Sequence, residues 1–288
     1  MASSSEAATA PAACSSSARR GTFVVLEGLD RSGKSTQVKL LEERFVSEGR
    51  PVKVMRFPGQ SLPLRSRARR RSASRRDPCS HGRPRAADRT TPIGQMIDSY
   101  LRSAVKMDDH VIHLLFSANR WEAAADIHAL LASGTSVVCD RFYHSGIVYS
   151  AAKQNPSLSL SWARAPEQGL PRPDAVLFLD LDEQTAKTRG GWGGEVYEKA
   201  EMQKRVKELF WELSMGGTDR HRGPLAQTLE DTSDRGTKRL WRQEEEDLIV
   251  IDAAAGVEDV AAQIWAHVRA RVKQVDDGEV GRSVRIVE

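Results

Sequence analysis

Phe23 to Thr36 reads FVVLEGLDRSGKST: an apolar run, Phe23 to Leu26, then the octet Gly28-Leu29-Asp30-Arg31-Ser32-Gly33-Lys34-Ser35. Glycine, four residues, then Gly-Lys-Ser is the pattern of a phosphate-binding loop. Gly28 and Gly33 permit backbone angles that a side chain forbids, so consecutive amides can turn inward on an anion. Lys34 can bridge terminal phosphate oxygens, and the Ser35 hydroxyl can hold Mg²⁺. A helix beginning near Lys34 adds its positive end to the same place. A chance match in a glycine turn is the bland alternative. Against it, the apolar run before the loop supplies a strand, and Val38, Leu40, Leu41, Phe45 and Val46 after it supply an amphipathic helix. Asp30 and Arg31 are not demanded by the motif. Arg31 reads either as an arginine supplied in cis to a transferring phosphoryl group or as half of a solvated charge pair.

Outward from this loop the chain alternates between strands and helices. Val52 to Phe57 reads as a second buried strand. Helices are predicted over Thr91 to Arg102 and Asp108 to Leu131, then a strand over Ser136 to Cys139 that ends in Asp140-Arg141. A helical stretch follows from Phe142 towards Lys153, and Ala175 to Leu179 reads as a fourth strand. Next come a short helix over Asp182 to Thr188, a glycine-rich loop over Arg189 to Gly194 and a helix over Lys199 to Leu213. Leu248 to Ile251 is the fifth strand and Val257 to Val272 the last helix. Strands that alternate with helices and carry few charges predict an α/β fold, a five-stranded parallel sheet covered by helices on both faces.

At 288 residues the chain can bury one full core, and no apolar run approaches the roughly 20 residues of a membrane span. Cys14, Cys79 and Cys139 are odd in number and lie in dissimilar contexts, which suits a reducing compartment and no cysteine metal site. Residues 1–20, Ser/Ala-rich and lacking an apolar centre, read as a disordered N-terminal tail, and 273–288 as a C-terminal tail. The domain between is expected over 21–272. The net charge of +4 is local in origin. Residues 59–87 hold nine arginines and one aspartate, and subtracting their +8 from +4 leaves −4 for the rest. With no periodicity and few aliphatics, this segment reads as a disordered insertion, and a second is expected over about 215–243.

Five clusters occur in a telling order. They are the phosphate loop; Arg56-Phe57-Pro58 with Asp88-Arg89-Thr90-Thr91-Pro92; Phe116-Ser117-Ala118-Asn119-Arg120-Trp121-Glu122; Asp140-Arg141-Phe142 with Ser145-Gly146; and Gly169-Leu170-Pro171-Arg172-Pro173-Asp174. Together they resemble the thymidylate kinase family of P-loop nucleoside monophosphate kinases, in its eukaryotic branch, over about residues 20–58, 88–214 and 244–270. The resemblance implies a P-loop NTPase-type three-layer fold and transfer of the ATP γ-phosphate to the 5′-phosphate of dTMP, with Mg²⁺. It implies a homodimer in the cytoplasm, with the nucleus as the alternative, and neither a membrane nor a specific nucleic acid as partner. On matching positions, ATP would be held by Gly28, Leu29, Asp30, Arg31, Ser32, Gly33, Lys34, Ser35, Thr36 and Arg189. Arg31 would meet the transferring phosphoryl group and Lys34 the β- and γ-phosphates. Asp30 would hold the acceptor's 3′-hydroxyl, and Arg89 and Arg141 its phosphate. Phe116 would stack on thymine and Arg120 donate to one of its carbonyls. Phe57, Ser145 and Tyr149 would complete the acceptor site, Tyr149 beneath the sugar and Tyr197 reaching in from a lid over Arg189 to Tyr197.

Read from the residues alone, several of these assignments stay open. Phe116 and Tyr149 could be core, Arg120 half of a surface ion pair, and Asp140 either a helix cap or, with Ser35, a metal ligand. His110, His113 and His128 read as structural. The lid has no basic residue after Arg189, which moves the catalytic charge to Arg31. The Arg-rich segment separates Pro58 from Asp88 where the family runs unbroken, and a retained intron is the preferred reading. A kinase for another pyrimidine monophosphate such as UMP, or an Arg/Ser-rich nucleic-acid-binding protein, is the alternative function.

Overall fold

The computed structural model describes residues 19–58, 91–182, 185–186, 200–214 and 248–288. Its strands are β1 (Phe23–Gly28), β2 (Val52–Arg56), β3 (Ser136–Asp140), β4 (Ala175–Asp180) and β5 (Leu248–Asp252). They form one parallel sheet in the order β2-β3-β1-β4-β5. The helices are α1 (Lys34–Ser47), α2 (Pro92–Leu101), α3 (Asp109–Ala132), α4 (Tyr143–Ala151), α5 (Leu160–Arg164), α6 (Ala200–Ser214) and α7 (Val257–Asp276). The predicted α/β class and the five strands are what the molecule has, with the boundaries moved by one or two residues.

β1 is buried along its whole length, and its alternation divides the core in two. Phe23 and Val25 join one hydrophobic cluster with residues of α2, α3, α4 and α6, while Val24 and Leu26 join another with α1 and α7. That is how a parallel strand covered on both faces must behave, since successive side chains point to opposite faces. Polar side chains fix where the helices begin. Thr91 accepts from the amide of Gly94 at the start of α2, Asp108 from His110 at α3 and Ser159 from Trp162 at α5. Each satisfies an amide that the first helical turn leaves without a partner.

Three features depart from the sequence reading. α5 and the 3₁₀ turn Ala165–Glu167 lie in a stretch that carried no predicted element. The last helix runs four residues past Val272, to Asp276. Residues 273–288, expected as a tail, belong to the fold. Val287 is buried, its amide and carbonyl pair with Leu170 and Gly169, and Ile286 bridges Pro171 in antiparallel sense. At the other end, Arg20 is buried rather than part of a tail. Its guanidinium grips both carboxylate oxygens of Asp174, at 2.7 and 2.8 Å. Asp174 also accepts from the amide of Phe23 at 2.9 Å, so one carboxylate ties the start of β1 to the start of β4. Of the helix expected over Asp182 to Thr188, only Thr185 and Ala186 are described, both helical. The N-terminal segment 1–18 and the expected insertions at 59–87 and 215–243 lie outside the described residues.

Candidate active site

The order of strands decides where the chemistry can sit. β1 lies beside β3; the connection after β1 runs to β2 at one edge and the connection after β3 runs the other way to β4, so a crevice opens at the carboxyl ends of these strands. The phosphate loop leaves β1 at that crevice. Gly28 has φ 149°, and a Cβ there would fall 2.7 Å from the Leu179 carbonyl oxygen and 2.7 Å from Ser32 Oγ. Only glycine lets β1 pass so close to β4 and turn. Gly33, at φ 91°, is the residue from which α1 starts, and its carbonyl accepts from the amides of Thr36 and Gln37. Leu29 and Ser32 are buried within the turn.

Lys34 folds back into the loop it follows. Its Nζ donates to the carbonyl oxygens of Gly28 (3.0 Å) and Leu29 (2.5 Å). Burial, and then the Arg141 guanidinium, pull its pKa down to about 8. An ammonium in such surroundings is short of negative charge, which a phosphate chain would supply.

Asp140 ends β3, and the register places it level with Leu26 of β1 and Arg56 of β2. Its carboxylate accepts from Ser35 Oγ at 2.8 Å and pairs with Arg56 Nε at 3.1 Å. It does not cap α4, whose N-cap is Phe142 without a side-chain bond. Of the two readings left open, the helix cap does not hold.

Arg141 joins the loop to a second cavity. Its Nη2 donates to Asp30 Oδ1 at 2.6 Å, its Nη1 to Ser145 Oγ at 3.1 Å, and it lies over the Tyr149 ring, 5.5 Å from the centroid. Arg31 and Arg141 both have left-handed backbones, at φ 69° and 68°. For residues with a side chain this conformation is strained by roughly 1–3 kcal/mol; Ser103 and Gln154 adopt it as well, just past the ends of α2 and α4. Beyond Arg141 opens a cleft lined by Phe57, Phe116, Arg120, Ser145 and Tyr149 among others. Every described residue expected to meet the acceptor lies on this cleft, except Asp30, which reaches it through Arg141. Phe116 is half buried with its ring on the cleft, while Phe57 is buried and packs on Phe142 at 5.1 Å. Arg120 is not in a surface ion pair. It is buried, and Glu167, buried at 0% exposure, takes its Nε at 2.8 Å and its Nη2 as well. Arg89, Arg189 and Tyr197 lie outside the described residues.

Two buried carboxylates were missed by sequence reasoning. Glu27 shares the face of Phe23 and Val25, and its carboxylate accepts from the amides of Phe142 (2.9 Å) and Ser145 (3.2 Å) and from Ser145 Oγ (2.5 Å). It therefore holds the start of α4, where Ser145 meets Arg141. A charged residue inside a strand buried on both faces was the available signal. Burial raises its pKa. Glu167, behind Arg120, left no local signal.

His113 and His144 are buried and neutral. Desolvation, and then nearby arginines, hold them to about 4 and about 3 against an ordinary 6.5. His113 is tied to Ser150 Oγ and the Ala163 carbonyl, at 2.7 and 2.8 Å, in keeping with its structural reading. In the unfolded chain both take up protons below pH 6.5, which the native state refuses. Their stabilising effect is thus complete above pH 6.5 and lost as pH falls through the folded pKa values. Glu27 acts in the opposite sense, favouring the fold most at low pH and less as pH rises through its raised pKa. Between pH 6.5 and 5 the two histidines dominate, each at up to about 1.4 kcal/mol per pH unit. Urea midpoints measured from pH 7 to 5 should fall, and a His144→Phe variant should show the shallower slope. A flat profile would contradict the buried neutral state.

A family model described as thymidylate kinase matches residues 84–221. A thymidylate kinase of Schizosaccharomyces pombe is 38% identical over 245 residues, covering 85% of this chain and 90% of the relative. The Homo sapiens thymidylate kinase is 39% identical over 196 residues, covering 68% and 78%. Among solved structures, the Candida albicans thymidylate kinase superposes with a TM-score of 0.63 at 28% identity, over 93% of this chain and 99% of that one.

Proposed function

The chain belongs to the thymidylate kinase family, and from that premise we propose how its residues divide the work of phosphorylating dTMP. The phosphate loop carries ATP, and the cleft under Phe116 carries dTMP. The observation that supports this division is Arg141, which touches Asp30 of the loop and lines the cleft at once. A group so placed lies where a γ-phosphate from one side and a 5′-phosphate from the other would meet.

The acceptor phosphate is already a nucleophile, so no general base is needed, and dTDP and ADP form by direct transfer. Two anions must be brought together, and the chain's task is to cancel their repulsion and align the oxygens. Lys34 turns from the loop carbonyls to the β- and γ-phosphates. Arg31, held half-buried in its left-handed turn, answers the charge that develops on the transferring group. Arg141 grips the acceptor phosphate with Arg89, and Asp30 holds the sugar hydroxyl. Tyr149, buried and with its pKa raised by desolvation, stays a neutral hydroxyl beneath the sugar.

Mg²⁺ is part of this proposal. Ser35 Oγ and the Asp140 carboxylate are hard oxygen donors 2.8 Å apart at the loop, and they fit the ion. Among the described residues no three His, Cys, Asp or Glu gather as a metal cage. That agrees with an ion bound by one or two protein groups together with the substrate's phosphates. Bound there, it neutralises charge on the phosphate oxygens.

A homodimer is proposed as well, supported by an exposed apolar stripe on α3 (Val111, Leu114 and Trp121) with Met96 of α2. Light scattering should give roughly twice the 31.9 kDa chain mass, and Leu114→Asp should return it to one. No helix among the described residues is long and apolar enough to cross a membrane. A cytoplasmic site of action is proposed, in keeping with the buried free thiol of Cys139.

The direct test is ADP release with dTMP, UMP or dAMP as acceptor, where dTMP alone should give rapid turnover. Comparable rates with UMP would move the assignment to a broader pyrimidine kinase. Phe116→Ala should raise KM for dTMP about 5- to 100-fold, the worth of one base–aromatic stack, and leave KM for ATP nearly unchanged. Equal effects on both substrates would make Phe116 plain core.

A further inference from the structure

Arg120 lines the cleft, and it is clamped on two sides. Glu167 faces its Nε and Nη2 edge with both carboxylate oxygens, the planar fork-to-fork arrangement that fixes a guanidinium in orientation as well as place. Gly146 of α4 lies against its flat face. A Cβ there would fall 2.6 Å from Nη2 and 3.0 Å from Nη1, so the guanidinium rests where a side chain would otherwise be. Behind the carboxylate, His113 Nε2 lies 3.9 Å from Glu167 Oε1. It donates to the Ala163 carbonyl at 2.8 Å and holds the wall in place. With one edge consumed by Glu167 and one face by Gly146, the donor left to address the cleft is the Nη1 side.

Stability does not explain this arrangement. Two charges withdrawn from water regain in pairing about what they lose in hydration, and an apolar pair of the same volume serves a core as well or better. A fixed guanidinium offers instead a directed donor that never becomes an acceptor. A base presented to it is accepted if it carries a carbonyl on the ring edge far from the sugar. It is refused if it carries an amino group there.

Resting on the reading that Arg120 meets the base, we propose that Glu167 is the positioning residue for pyrimidine choice. It holds Arg120 as a rigid donor, so that the cleft takes 4-oxo pyrimidine nucleotides and rejects 4-amino ones. Without it the guanidinium turns, and the discrimination goes with it.

The test compares dTMP, dCMP and a thymidylate analogue lacking the C4 carbonyl. The proteins are the parent, Glu167→Gln, Glu167→Asp, Arg120→Ala and the Gln/Ala double variant. Glutamine keeps the shape but sets an N–H against the guanidinium. KM for dTMP should rise about tenfold or more in Glu167→Gln, the worth of one hydrogen bond to a charged group, while KM for ATP stays within about twofold. The preference for dTMP over the deoxo analogue should collapse in that variant. Adding Glu167→Gln to Arg120→Ala should change it no further. If Arg120→Ala abolishes the preference and Glu167→Gln keeps it, the positioning role is overturned and the base contact stands. If Arg120→Ala itself keeps the preference, the base contact falls and this proposal with it. Thermal melts show whether Glu167→Gln folds. Should it not, Glu167→Asp decides, since it keeps the charge but is one methylene shorter. A preference unchanged in Glu167→Asp overturns the proposal, and a weakened one supports it.

Discussion

Lys34→Met is expected to lower kcat/KM by about 10³-fold or more, while the unliganded variant melts no lower than the parent. The first half follows from position. Lys34 is the one ammonium inside the loop, and a charge aimed at oxygens whose negative charge grows during transfer contributes several kcal/mol in a site that excludes water. The second half follows from its unliganded state. A pKa pulled from 10.5 down to about 8 means that burial penalises the charged form in the folded protein. Between pH 8 and 10.5 the unfolded chain holds a proton that the native state has released, so native stability rises with pH across that window. Below it the penalty is present in full, and a neutral side chain of similar length removes it. Stability and function are then opposed at this residue. ATP binding should draw the proton back, so KM for ATP should rise as pH climbs through 8 in the parent. Differential scanning with and without ATP, and KM for ATP from pH 7 to 9.5, read both halves. A variant melting several degrees below the parent would show that Lys34 is a structural strut. Arg31→Ala is the companion, expected to cut kcat with little effect on either KM; near-normal kcat would remove its in-cis role.

The sheet and the loop were legible because both write themselves locally. Five short apolar runs interleaved with helical periods can scarcely be anything but a covered parallel sheet. Gly28 and Gly33 carry constraints that the structure shows in their backbone angles. Convergence of Phe57, Phe116, Arg120, Arg141, Ser145 and Tyr149 on one cleft was legible only through resemblance, because 92 residues separate Phe57 from Tyr149 and no period connects them. The open choice at Asp140 is explained by register. β3 runs one residue further than its apolar run, which sets the carboxylate beside α1 rather than under α4. Glu27 could have been found, because alternation along β1 assigns it to the α4 face, where a lone carboxylate must find donors. Glu167 could not. Its partner is 47 residues away and its own surroundings, Pro166 and Gln168, read as loop. The C-terminus was misjudged for a related reason. Val284, Ile286 and Val287 are interspersed with charged residues in no clear period, and the burial of Val287 depends on pairing with residues 169–172, which no local pattern announces.

Arg141→Ala should damage both activity and fold, unlike the change at Lys34. Asp30 is only 2% exposed, and Arg141 is its ion-pair partner, with Gln203 more distant at 3.4 Å. Removing the guanidinium strands a buried carboxylate, which costs about 3–5 kcal/mol where measured in other proteins. It also frees Ser145 from one of its two partners and leaves the Tyr149 ring uncovered on one side. Loss of an acceptor-phosphate contact adds a kinetic effect, so kcat/KM for dTMP should fall by about 10³-fold or more. Arg141→Lys separates the two losses. Lysine restores a positive charge near Asp30, hence part of the stability. It cannot meet Asp30, Ser145 and a phosphate together, because its single ammonium lacks the fork that spans them. The expected order is therefore parent, lysine, alanine in melting temperature, but parent far above both variants in kcat/KM. Arg141→Gly adds a further check, since glycine accepts φ 68° without strain and should melt above alanine at equal activity. Were Arg141→Lys to work within about tenfold of the parent, the arginine would be serving only as a counter-charge for Asp30. The grip on the acceptor phosphate would then have to come from another residue.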